Sequence, residues 1–151
     1  MTQEEKDLLL KDLCARLPYN IRVEYKGKTH STIYDVLGVA HGRIVLCLPF
    51  MSKTECPLIE EVKPYLFPLS SITEEESIEL FKLFEISLID SIGADYIKIN
   101  ECTGITFFLD KGFDVETHLD KLIDWLNAHH FDYRGLIEKG LAIDATGKNI
   151  Y

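Results

Sequence analysis

The chain has 151 residues, enough for one domain that buries roughly 70% of its unfolded surface. Hydrophobic residues make up 46% and aromatics 11%, which excludes a disordered chain and a core that needs a metal or disulfide staple. With 16 Lys and Arg against 25 Asp and Glu, the formal charge of −9 opposes nucleic-acid phosphate, and no basic run offsets it.

The opening "MTQEEKDLLL" is charged from its start and has no signal-peptide core. No apolar run approaches the ~20 residues that cross a bilayer, so a cytoplasmic protein with no membrane contact is expected. Cys14, Cys47, Cys56 and Cys102 have no C-x-x-C pair and no zinc spacing, which predicts free thiols in a reducing compartment.

Thr2 and Glu5 form a T-x-x-E capping box at a helix start. Leu10, Leu13, Cys14 and Leu17 follow at i, i+3, i+4 and i+7, an apolar stripe that predicts Cys14 to be buried; Pro18 ends the helix. Residues 20–50 then read as a β-meander. Ile21, Val23 and Tyr25 alternate with Arg22 and Glu24 in the first strand, and Gly27 marks a turn. The second strand spans about Lys28 to Val39, with Ile33, Leu37 and Val39 on one face. Residues 40–42 turn again, leaving His41 in solvent. The third strand, "RIVLCLPF", is apolar on both faces.

Pro57, Pro64 and Pro68 punctuate the next stretch, which has room for at most one short helix near Leu58 to Val62. Thr73 and Glu76 make a second capping box, with acidic residues in the first turn where the helix dipole favours them. Ile78, Phe81, Leu88 and Ile92 lie on one side of this helix and Leu80, Leu83, Phe84, Ile86 and Ile89 on the others, the pattern of a central buried helix that stops at Gly93. Residues 94–112 read as a hairpin: Tyr96, Ile97 and Ile99 in one arm, Ile105 to Leu109 in the other, turning at Thr103-Gly104. Asp114 caps a helix from about Val115 to His129.

That helix runs into the densest stretch of the chain, "DWLNAHHFDYRGLIEKGLA". Leu119, Leu122, Ile123 and Leu126 form its core stripe, which His130 continues and which Trp125, His129 and His118 flank; Glu116, Asp120, Asp124 and Asn127 form the solvated face. His118 and His129 share an azimuth but stand about 16 Å apart along the axis, too far for one metal ion. No H-x-x-x-H or E-x-x-H pair is present, so neither a metal nor a cofactor is expected. Asp132 fits as the N-cap of a last helix from Tyr133 to Lys139, with Phe131 and Leu136 as a hydrophobic staple and Gly140 as its stop. The stretch is then a corner between two helices. Trp125 fills the crook, and Tyr133 and Arg134 reach the surface. Trp125, His129, Tyr133 and Arg134 are the candidate binding residues, since these types are enriched at interface hot spots.

"KPYLFPLSSITEEE" and "DWLNAHHFDYRGLIEKGLA" resemble two signature segments of a family of small proteins from gut bacteria, their prophages and phages. The resemblance covers about a quarter of the chain. The family commonly has Arg where this chain has Phe67, and Met where it has Leu69 and Ile72. The resemblance carries no activity; it implies an accessory protein of a mobile element.

The expected architecture is a single α+β domain over residues 1–151: a three-stranded antiparallel meander and a hairpin packed with a central buried helix and a C-terminal helix-turn-helix corner. The expected function is a non-catalytic interaction module with a protein partner and no direct nucleic-acid contact. Two alternatives stay open. One is a small hydrolase-like enzyme with a site near His129, His130 and Asp132, for which Cys56 is the candidate nucleophile. The other is an acidic inhibitor that mimics nucleic acid.

Overall fold

The computed structural model describes residues 1–26, 31–48, 54–83, 96–100, 104–108 and 119–151. They divide into two compact units: Met1–Phe67 with Arg134–Tyr151, and Pro68–Tyr133.

The first unit opens with helix α1, Gln3–Arg16. Its N-terminus is closed as the sequence predicts: the Glu5 amide donates to Thr2 Oγ1 at 3.2 Å and the Thr2 amide to Glu5 Oε2 at 2.6 Å. The helix ends ahead of Pro18 in a 3-10 turn, Leu17–Tyr19, and Asn20, left-handed at φ 56°, redirects the chain into the sheet.

Six strands make one mixed sheet: β1 Arg22–Lys26, β2 Ser31–Ala40, β3 Arg43–Cys47, β4 Thr54–Glu55, β5 Val62–Leu66 and β8 Ile143–Asp144. Their order is β4-β3-β2-β1-β5-β8. The α+β class and the β1–β2–β3 meander are as expected. His41 and Gly42, both at positive φ (52° and 73°), make the tight turn between β2 and β3, and His41 is exposed as expected. The Gly27 turn lies outside the described residues.

Three strands, β4, β5 and β8, escape the sequence reading. β5 carries Pro64, which reads as a loop signal. It is tolerated because β5 pairs antiparallel with β1 through Val62, Lys63 and Pro64, whereas the parallel ladder to β8 uses only Tyr65 and Leu66. β8 is two residues long and closes the sheet edge.

The main core fills one face of the sheet. Ile21, Val23, Tyr34, Val36, Ile44, Leu46, Val62 and Leu66 pack with Leu9 and Leu13 of α1 and with Leu136, Leu141 and Ala142. On the opposite face Tyr65, Ala145 and Ile150 pack with Ile33, Phe67 and Ile143. The predicted face of β2 is therefore corrected. The register slips between Val36 and Gly38, so Leu37 is the bulged residue and stands 60% exposed. The bulge reverses the inward–outward alternation. Tyr34 and Val36 before it and Val39 after it pack on the core, whereas Ile33 joins the second face.

α1 also differs from expectation by one position. Its buried residues are Leu9, Asp12, Leu13 and Arg16, and Cys14 is exposed. The helix is rotated because a carboxylate and a guanidinium occupy core positions, which an apolar stripe cannot reveal.

The second unit contains a 3-10 turn at Leu69–Ser71, helix α2 (Glu74–Leu83), the hairpin β6 (Tyr96–Asn100) and β7 (Gly104–Phe108), and helix α3 (Leu119–Ala128). The Thr73–Glu76 capping box is formed. In α2 Leu80 is buried but Ile78 is 37% exposed, so its first turns are less enclosed than a central helix implies. The rest of that predicted helix, residues 84–92, lies outside the described residues, as do Asp114, His118 and Cys102. The hairpin pairs Tyr96 with Phe108 through Asn100 with Gly104, as its sequence suggests, and forms a two-stranded sheet of its own.

Candidate functional site

α3 ends in a Schellman motif. The Phe131 amide donates to the Leu126 carbonyl at 2.9 Å and the His130 amide to the Asn127 carbonyl at 3.2 Å. This places His130 at the C′ position, left-handed at φ 58° and buried. His130 therefore stops the helix instead of continuing its stripe. Glycine is the ordinary residue here, which is why the sequence hides the stop.

The expected last helix, Tyr133 to Lys139, is not formed. Residues 133–140 are a run of turns, because Gly135 takes φ 68° and cannot belong to a right-handed helix. Asp132 is thus not an N-cap, and its side chain is buried beside Phe131 in sequence. Gly140 does act as a stop, at φ 68°. The Leu141 amide reaches the Leu136 carbonyl at 2.9 Å and the Gly140 amide the Ile137 carbonyl at 2.9 Å, a second Schellman pattern closing a single turn.

In the second unit the aromatic groups form a stack. Trp125 is 6% exposed, and its ring lies 4.1 Å from His129 and 5.6 Å from Phe131 by centroids. Trp125 Nε1 donates to Glu79 Oε1 of α2 at 3.3 Å, and His129 Nε2 lies 3.7 Å from Glu79 Oε2. His129 Nδ1 is 2.9 Å from the Trp125 carbonyl oxygen; a carbonyl only accepts, so Nδ1 carries a proton. Tyr133 donates its hydroxyl to Asn127 Oδ1 at 3.0 Å, and Asn127 is buried, not on the solvated face its spacing suggested.

Arg134 belongs to the first unit and does not reach out to solvent as expected. Its side chain is 16% exposed, with Nε 3.2 Å from Asp12 Oδ1. Arg16 holds the same carboxylate with both prongs, Nε to Oδ2 at 2.8 Å and Nη2 to Oδ1 at 3.1 Å. Asp12 and Arg16 are fully enclosed. Two guanidinium groups thus clamp one buried carboxylate and tie α1 to the 134–142 segment. A signal existed: Asp12 and Arg16 are four residues apart, ion-pair spacing, on the side that Leu9 and Leu13 bury.

The last residues cover the second sheet face. Tyr151 donates its hydroxyl to the Tyr65 carbonyl at 2.7 Å and accepts from the Arg22 amide at 3.3 Å, while Arg22 Nη1 holds the Ile150 carbonyl. Arg22 also pairs with Asp35 at 3.0 Å. Tyr151 is 42% exposed as a residue, but enclosure of its hydroxyl against the sheet pushes the phenol above its ordinary range, against the opposing pull of the Arg22 amide.

Of the four candidate binding residues, the structure brings Trp125 and His129 together with Glu79. It gives Tyr133 to Asn127 and Arg134 to Asp12. Asp12, Arg16, Glu79 and Asn127 were not anticipated. Cys14 and Cys56 are exposed and Cys47 is half-buried, all as free thiols. Among the described residues no group of His, Cys, Asp and Glu could hold a metal ion, and no helix is long and apolar enough to cross a membrane. No family model, curated protein or solved structure matches the chain.

Proposed function

We propose that this protein is a non-catalytic interaction module, an accessory protein of a mobile element, that binds a basic protein partner. One observation carries the reading: the side chains a hydrolytic site would use are committed to folding contacts. His129 is bonded through Nδ1 to the Trp125 carbonyl and stacked on its ring. His130 stops α3 in a left-handed conformation, and Asp132 is buried. A general base needs a nitrogen or oxygen within reach of a substrate proton.

The kind of partner follows from charge. The chain carries −9, and α2 exposes Glu74, Glu75 and Glu79 around the exposed Ile78. Carboxylates around an apolar side chain suit a partner that offers Lys or Arg around an apolar pocket, with binding weakened by salt. The mobile-element origin rests on the family resemblance of the two segments named above.

Affinity capture from a host-cell lysate tests the reading, with the wild-type chain compared against Glu74→Lys/Glu75→Lys. The expected result is a basic protein that the wild type retains at low salt, releases at high salt, and loses in the variant. An identical set captured by both chains would overturn it.

A further inference from the structure

We propose that the outward face of β2, β3 and β4 is the contact surface of a homodimer, in which Leu37 of each copy seats over Gly38 of the other. The β3–β4 ladder keeps one register beyond β4 itself. Cys47 faces Thr54, Leu46 faces Glu55, the Ile44 amide donates to the Pro57 carbonyl at 3.0 Å, and Arg43 bridges to Leu58. Cys56 therefore falls opposite Val45. Ile44 and Leu46 are buried on the core face, so Val45, Cys47, Cys56 and Leu58 share the other face. Val45 and Cys47 are half-buried there, and Cys56 and Leu58 are exposed. On the adjoining strand Leu37 follows the buried Val36 and turns to this same face, 60% exposed at the bulge, while Gly38 lies opposite Val45.

Gly38 is the second observation. It sits inside a strand, where a glycine weakens the sheet and has no side chain to pack. Its φ is not left-handed, so the bulge does not demand it, and among the described residues no atom lies within 4 Å of where a Cβ would stand. Neither the backbone nor crowding within the chain calls for glycine; close approach from outside does. The Leu37 knob and the Gly38 notch are adjacent, which makes the surface self-complementary. A two-fold axis parallel to the sheet, passing between residues 37 and 38, lays each Leu37 over the other copy's Gly38, the reciprocal contact of an isologous dimer. The two sheets then pack face to face, about 10 Å apart. Charged side chains bordering the patch are already engaged: Asp35, opposite Cys47, pairs with Arg22, and Arg43 donates to the Cys56 carbonyl. The surface thus presents apolar atoms, which suit a second copy better than a charged ligand. Each copy carries −9, so association works against a repulsion that salt screens. Added salt tightens this dimer, whereas it weakens the basic partner proposed above.

Analytical ultracentrifugation of the full chain tests it, in reductant so that the exposed Cys14 and Cys56 form no cross-link. Samples run from about 5 µM to about 500 µM protein, at about 0.05 M and about 0.5 M salt. The expected result is a mass that climbs from one chain toward two with concentration, and climbs further at the higher salt. Leu37→Asp removes the knob and Gly38→Val fills the notch; each should weaken the dimer about tenfold or more. Valine at position 38 meets open space and suits a strand, so Gly38→Val keeps or raises the Tm measured at the lowest concentration, which separates lost assembly from lost fold. A single-chain mass at every concentration and salt, a dimer that added salt dissociates, or one that either variant leaves undiminished would each overturn the homodimer.

Discussion

Replacing Asp12 by Ala takes away the one carboxylate that two guanidinium groups share inside the first unit. Arg16 is fully enclosed and bonded to Asp12 at 2.8 and 3.1 Å, and Arg134 lies 3.2 Å away with its side chain only 16% exposed. After the substitution both cations stay in the interior with their main counter-charge gone. Removing one partner of a buried ion pair costs about 3–5 kcal/mol, because the other is left uncompensated. Full enclosure of the Asp12–Arg16 pair places Asp12→Ala toward the upper end, against a total stability of about 5–15 kcal/mol. For a chain of this length each kcal/mol moves Tm by about 2–4 °C, so a fall of about 10–15 °C is expected. Thermal and urea unfolding followed by far-UV circular dichroism measures it. A companion variant, Asp12→Leu/Arg16→Met/Arg134→Leu, removes all three charges and should recover most of the loss. A cost for Asp12→Ala below about 1 kcal/mol, the worth of a surface pair, would refute the reasoning.

Trp125→Ala should cost about 3–5 kcal/mol, read as a lowered Tm, since the indole is 6% exposed and packs against both His129 and Phe131. His130→Val should be less stable than His130→Gly by about 1–2 kcal/mol in urea unfolding, because both remove the imidazole but only valine resists the left-handed backbone; equal stabilities would contradict the C′ position. The Tyr151 phenol is raised above its ordinary 10.0 by burial, so the stability it contributes is intact below about pH 10 and is lost as pH climbs beyond that. Tyr65 and Tyr25 are raised in the same sense, so Tyr151→Phe should flatten the alkaline loss in a pH series of melts without abolishing it.

The elements legible in the sequence are those whose signals are local. Both T-x-x-E boxes, the stop before Pro18, the His41-Gly42 turn and the 96–108 hairpin depend on residues a few positions apart. What was hidden depends on distant partners. The i, i+4 spacing of Asp12 and Arg16 is local, but that Arg134, more than a hundred residues on, meets them in the core is not. Strand β5 is masked by Pro64 and becomes a strand because β1 offers it a ladder. The Leu37 bulge inverts the reading of β2 from a register that β3 imposes. The candidate site was half legible. Trp125 and His129 were named, but Glu79, which binds them both, lies 46 residues before Trp125 with nothing in its surroundings to single it out. The last helix was predicted from a plausible cap and staple, and Gly135 at positive φ defeats it.

Whether the stretch from His129 to Asp132 does chemistry is decided by turnover. Purified wild type is assayed against chromogenic esters, amides and phosphodiesters, beside Asp132→Asn and His129→Gln. An interaction module predicts rates at the buffer background for all three proteins. Turnover above background that falls in either variant, with its circular dichroism spectrum unchanged, would contradict it.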